Sequence, residues 1–150
     1  MRIVNDITAQ LITNNEKNQK LFILLNNKPL NIIVDGCFLN AVVEVDINKF
    51  ILFVTYDCPF EETLSIYLID TMNSLVLDSL WMGLMYETDI FLGAKIENDN
   101  IIFKFISNKL WCLTYLKHGF FSISYFLKEL RNPIVHRKLS IKYYLKIKHI

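Results

Sequence analysis

The sequence predicts a mainly β protein, an antiparallel β-sandwich or barrel-like meander with one short helix near the C-terminus. Three observations carry this. Apolar residues come in short bursts, such as LFILL at 21–25 and FILFV at 50–54, broken by Asn, Asp, Lys or Thr. Turn signals recur about every 8–12 residues, the spacing of sandwiches and barrels. Several bursts are apolar at every position rather than at alternate ones, which suits strands buried on both faces.

Taken in order, residues 7–13 and 21–26 are apolar runs separated by a polar Asn/Glu/Lys/Gln connection, which predicts a hairpin. Residues 32–34 and 37–45 flank Asp35-Gly36, a dipeptide suited to the positive φ angles of a tight hairpin turn. Strands at 50–56, 64–69 and 74–82 follow, joined by turns at 57–62 and 70–73, and make a three-stranded meander. Strands at 90–96, 101–106 and 110–116 complete the series, with turns at Asn98-Asp99-Asn100 and Ser107-Asn108-Lys109. Alternation is plain in Ile101-Phe103-Phe105. Residues 125–131 (YFLKELR) predict a helix with Ser124 as N-cap, stopped at Asn132-Pro133. From 136 to 150 the apolar residues Leu139, Ile141, Tyr143, Leu145 and Ile147 fall on odd positions among Arg137, Lys138, Lys142, Lys146 and Lys148. That is strand periodicity, broken only by Tyr144, so a C-terminal strand is expected. No repeat or flexible linker interrupts the chain. Residues 1–150 therefore read as a single β-rich domain, large enough to bury a core without metals or disulfides.

Composition narrows the function classes. The chain is 53% hydrophobic with a mean hydropathy of +0.30. Even so, no run approaches the ~18–20 apolar residues of a membrane-spanning helix. Asn5 and Asp6 stand where a signal peptide would carry its apolar segment, so an unexported chain is expected. Cys37, Cys58 and Cys112 form neither a metal spacing nor an even disulfide set, which fits a reducing cytoplasm. Cys37 and Cys112 read as small buried hydrophobes. Cys58, between carboxylates, reads as a poor nucleophile.

The motifs of phosphate-binding loops, dinucleotide folds, serine hydrolases and zinc proteases are missing. With only four glycines, no backbone cradle for a phosphate is expected, and neither is any cofactor or metal. His118, beside Gly119, reads as a turn residue. Glu61 and Glu62 are adjacent, so on a strand they would face opposite sides, a poor arrangement for acid–base work. The chain is expected not to be an enzyme.

The formal charge of +1 hides an asymmetry. Residues 1–102 carry 6 Lys/Arg and 14 Asp/Glu, whereas residues 103–150 carry 10 Lys/Arg and one acid, Glu129. Charge segregation of this kind marks interaction surfaces rather than fold. The basic third, with its aromatics, suggests one alternative function, a nucleic-acid-binding module. The acidic body opposes that by repelling phosphate. Membrane attachment through the tail is not expected, because its periodicity makes a poor amphipathic helix.

A more specific reading comes from Thr55-Tyr56-Asp57-Cys58-Pro59-Phe60-Glu61-Glu62, followed by Leu64-Ser65-Ile66-Tyr67-Leu68-Ile69-Asp70. This segment resembles the immunity proteins encoded beside polymorphic bacterial toxins of contact-dependent growth inhibition (CDI) and Rhs-type systems. The resemblance continues through Leu77-Asp78-Ser79, a Gly83 to Tyr86 loop and a strand holding Trp111, and covers about residues 49–116. Thr63 departs from it, standing where glycine is expected. The resemblance implies a protein without catalytic activity that binds one cognate toxin domain and covers its active site in the producing cell.

The residue chemistry is compatible with that implication. An acidic surface suits a basic nuclease toxin in encounter rate and in phosphate mimicry. A meander alternates its turns between two ends, so the 57–62 and 83–89 segments should meet. The expected toxin-binding set is Asp57, Phe60, Glu61, Glu62, Tyr86, Glu87 and Asp89, with Phe60 and Tyr86 as aromatic anchors inside a charged rim. Asp70, Glu97 and Asp99 should lie at the opposite end. Reversing Glu61 and Glu62 is expected to weaken binding with little effect on stability.

Overall fold

A computed structural model describes residues 1–12, 19–56, 58 and 61–150. The polar 13–18 connection and the site residues Asp57 and Phe60 lie outside the described residues. The elements are β1 (Arg2–Ile3), β2 (Ile7–Leu11), β3 (Lys20–Leu25), β4 (Lys28–Asp35), β5 (Phe38–Asp46), β6 (Lys49–Thr55), β7 (Leu64–Asp70), β8 (Leu75–Met82), β9 (Ala94–Glu97), β10 (Asn100–Lys104), β11 (Leu110–Phe120), α1 (Ile123–Leu130), β12 (Val135–His136) and β13 (Tyr143–His149). They form three antiparallel sheets, with orders β1-β5-β6-β7-β8-β12, β13-β11-β10-β9 and β2-β3-β4.

The sequence of β6 explains the layering. Successive side chains of a strand point to opposite faces. Ile51 and Phe53 enter one core with Leu64, Ile66, Leu68, Phe103, Leu113, Leu145 and Ile147. Phe50, Leu52 and Val54 enter a second core with Ile7, Leu21, Ile23, Ile32 and Val34. The six-stranded sheet is thus a central layer, packed by the four-stranded sheet on one face and by the three-stranded sheet on the other. Its strand β6 is apolar from Phe50 to Val54 because both of its faces are covered. The expectation of a mainly β sandwich holds. Its barrel variant does not, since the central sheet is open and ends at β1 and β12.

The local differences have identifiable causes. Asp35-Gly36 is not a hairpin turn but the corner where the chain leaves the three-stranded sheet for the central one. The Cys37 amide donates to the Thr55 carbonyl at 2.8 Å. Gly36 has φ +139, and a Cβ there would lie 2.1 Å from Val54 Cγ1, so this corner requires glycine. The β3–β4 hairpin instead turns at Asn26 (φ 49) and Asn27 (φ 63), since asparagine tolerates the left-handed region. The strand expected over 90–96 shortens to β9. Phe91 leaves the strand path to stack on Phe53 with ring centroids 5.2 Å apart.

In the last third, the α1 cap is Ser122, not Ser124. Its hydroxyl oxygen accepts the Tyr125 amide hydrogen bond at 3.2 Å, and the helix begins two residues earlier than the pattern suggested. His118-Gly119 lies within β11, where the pairing with β13 shifts register between Tyr115 and Phe120, and not in a turn. The expected continuous C-terminal strand is two strands, β12 and β13. Tyr143, Leu145 and Ile147 are buried, but Leu139 and Ile141 are exposed between them.

Candidate functional site

The β6–β7 loop and the segment after β8 leave the same end of the central sheet, because Leu64 pairs with both Thr55 and Met82. Thr63 and Gly83, the residues of the two segments next to the sheet, therefore lie side by side. The contact is tight: a Cβ on Gly83 would lie 2.8 Å from Thr63 Cγ2. Gly83 accordingly accommodates the threonine that stands where glycine was expected.

The carboxylates at this end divide into two kinds. Glu61 is exposed. Glu62 instead organises its own loop. Its Oε1 accepts from the Tyr56 amide at 2.9 Å and the Thr63 amide at 3.0 Å, and its Oε2 from the Cys58 amide at 3.2 Å. Reversing Glu62 would therefore disturb the loop as well as the surface charge, contrary to the expectation that stability is indifferent to it. Glu87 and Asp89 reach across to the β10–β11 turn. Glu87 Oε2 accepts from the Ser107 hydroxyl at 2.7 Å, and Asp89 Oδ2 from the Asn108 amide at 3.4 Å.

These contacts pin the β8–β9 connection at three points, Glu87, Asp89 and the buried ring of Phe91. Alongside the pins, Met85, Tyr86, Ile90 and Leu92 are exposed. Tyr86 is 84% and Leu92 85% exposed. Tyr86 also has φ 63, an uncommon left-handed conformation for an aromatic residue. An exposed apolar set held on a fixed loop, with Glu87 and Asp89 among it and Glu61 exposed on the neighbouring β6–β7 loop, has the composition of an interface anchor with an acidic rim. At the other end, Asp70 serves structure. Burial acts to raise its pKa, but hydrogen bonds from the Asn73 side chain, the Asn73 amide and the Met72 amide, together with Lys49, hold it below the usual carboxylate range.

Sequence reasoning missed a second feature beside this end. The three-stranded sheet covers only part of its face of the central sheet, leaving a cleft of about 310 Å³ over β7 and β8. Ser65, Tyr67, Ser79 and Trp81 form its floor, with Asp35, Tyr56 and Thr63 on one side and Arg137 and Lys138 on the other. The Tyr67 hydroxyl donates to the Asp35 carbonyl at 2.9 Å. Burial, reinforced by the charge of Asp35, pushes the Tyr56 and Tyr67 hydroxyls above the ordinary phenol value, so both stay protonated near neutrality. Trp81 stacks on His136 across the β8–β12 pair, with ring centroids 3.9 Å apart. The signal was available: Ser65, Tyr67 and Ser79 fall at alternate positions on one face of otherwise apolar strands.

Among the described residues, no group of three His, Cys, Asp or Glu side chains is placed to hold a metal ion. Among the same described residues, no helix is long and apolar enough to cross a membrane. No protein-family model, curated protein or solved structure matches the chain.

Proposed function

We propose that the protein is a non-catalytic binding protein of the immunity type, which neutralises a cognate toxin domain by covering its active site in the cytoplasm. The observation that carries this reading is the pinned 83–93 loop. It exposes Met85, Tyr86, Ile90 and Leu92 beside Glu87 and Asp89. A surface already held in its binding shape loses little conformational entropy on association. Its acidic rim steers a basic partner, such as a nuclease, toward the aromatic anchor. The resemblance of residues 49–116 to immunity proteins of toxin systems supports the binding role.

Co-expression with the toxin domain encoded beside it tests the proposal. Restored growth and a co-purifying complex are expected. Growth arrest with the protein folded and no complex formed would overturn it.

A further inference from the structure

The outer face of the four-stranded sheet carries a chemistry that the toxin-binding reading leaves unused. From this sheet Ala94, Ile96, Ile101, Phe103, Leu145 and Ile147 pack inward on the core. The alternate residues therefore face away from the central sheet. The register sets them in rows. Lys95 pairs with Ile102, Ile102 with Cys112 and Cys112 with Lys148. In the next row Glu97, Asn100, Thr114 and Lys146 follow one another. Lys104 stands on the same side of β10 as Ile102, opposite Leu110. Lys95, Lys104, Lys146 and Lys148 are all exposed. Two hollows open on this face. One, of about 410 Å³, has Lys95 and Lys104 in its wall. The other, of about 380 Å³, has Lys146 and, from α1, Lys128. Among the described residues, Glu97 is the one acid on these rows.

We propose that this face binds double-stranded DNA through its phosphates, without reading the base sequence. Five lysines against one acid select a polyanion. What else stands on the face decides which polyanion. No aromatic ring lies on the rows, so nothing there stacks the bases of a single strand. Ile102 and Leu110 are half-buried and Cys112 is buried in the middle of the face, and the strongly exposed Leu92 and Ile150 lie only at one end of it. A bilayer surface would need apolar side chains among the cations to insert. A protein interface would have an apolar or aromatic centre, from which lysine is depleted. The width fits a duplex. Lys95 and Lys148 are three inter-strand steps apart, about 14 Å at ~4.8 Å per step. That is comparable with a DNA major groove about 12 Å wide, so lysines at the two sides meet the phosphates that flank one groove. The acids of the body do not oppose this locally, since Asp78, Asp46 and Glu44 are paired with Arg137, Lys117 and Arg2. The assignment does not depend on the toxin-binding reading.

Fluorescence anisotropy of short labelled DNA duplexes of unrelated sequence, titrated with the full chain, provides the test. Binding should be alike for all of them at low salt. Its logarithm should fall with the logarithm of salt at a slope of about −4, a loss of roughly 250-fold between about 50 and 200 mM. Lys95→Ala and Lys148→Ala should each make that slope shallower by about 1. The double variant Lys146→Glu/Lys148→Glu should abolish binding with an unchanged melting temperature, since both side chains are already solvated. Lys28→Ala, on the three-stranded sheet, should have no effect. Absence of duplex binding at low salt, or binding indifferent to Lys146 and Lys148, would overturn the proposal. So would tighter binding to single strands than to duplexes. Sedimentation with phosphatidylglycerol vesicles, or binding to polyglutamate, with none to duplexes would assign the face to a membrane or to an acidic protein instead.

Discussion

Replacing Asp78 by alanine should be among the most destabilising single changes in this chain. The Asp78 side chain is 3% exposed and that of its partner Arg137 1%, with Arg137 Nη1 3.2 Å from Asp78 Oδ2. Asp78 also accepts the Ser79 amide at 2.8 Å, the Tyr144 amide at 2.6 Å and the Leu145 amide at 2.8 Å. One carboxylate of β8 in the central sheet thus holds two amides of β13 in the four-stranded sheet. Arg137 completes the junction by donating to the Leu145 carbonyl at 2.8 Å and lying 4.9 Å from the centre of the Tyr143 ring. Burial acts to raise the Asp78 pKa, opposed by the Arg137 charge and the three amides.

Alanine would leave a buried guanidinium without its counter-charge and three strand amides without this acceptor. Breaking a buried pair from one side costs about 3–5 kcal/mol. In a protein of this size, 1 kcal/mol corresponds to about 2–4 °C in melting temperature, so a drop of roughly 10–15 °C is expected. Urea unfolding followed by circular dichroism gives the free energy directly. Arg137→Met should cost less than Asp78→Ala, because the carboxylate keeps its amide donors. The double variant should lose less than the sum of the two single losses. A loss below about 1 kcal/mol for Asp78→Ala, or strictly additive losses, would refute this account of the sheet junction.

The remaining expectations concern the corners and loops. Gly36→Ala should destabilise by roughly 2–4 kcal/mol in equilibrium unfolding, since the new Cβ meets Val54 at a backbone conformation unsuited to side chains. Gly83→Ala should cost about 1–2 kcal/mol, and adding Thr63→Ser should recover most of it by removing the methyl that the new Cβ would strike. Glu61→Lys should weaken toxin binding with an unchanged melting temperature, whereas Glu62→Lys should lower both, a contrast that paired calorimetry and pull-down would reveal. The Asp70 pKa lies below its unfolded value, so its stabilisation is present above that value and is lost as pH falls through the folded one. The stability gap between wild type and Asp70→Ala should therefore close on acidification.

What was legible in the sequence was mostly local. The meander from 50 to 82, the turns at Asp70 and Asn98, and the inward alternation of Tyr143, Leu145 and Ile147 follow from strand period and turn chemistry. What was not legible depended on distant partners. Nothing near Gly36 reveals that Val54 blocks a Cβ, so a dipeptide suited to a hairpin became a crossing between sheets. Phe91 reads as one more strand residue until Phe53 and Phe103 are seen to receive it. Apolarity on both faces of β6 was correctly associated with double burial, but it does not distinguish a closed barrel from a three-layer stack. In the candidate site, Glu61 and Tyr86 are exposed as a meander end implies. Glu62 holds its own loop through nearby amides, and Glu87 and Asp89 hold theirs through the Ser107 hydroxyl and the Asn108 amide, which lie in a turn the sequence does not connect to them.

The pinned 83–93 loop and its acidic neighbours are proposed as the toxin-binding surface. Hydrogen–deuterium exchange of the protein, alone and with the toxin domain proposed as its partner, tests this directly. New protection across 61–63 and 83–93 is predicted, with the 121–131 and 137–142 segments unchanged. Protection confined to those basic segments, with 83–93 exchanging as in the free protein, would contradict it.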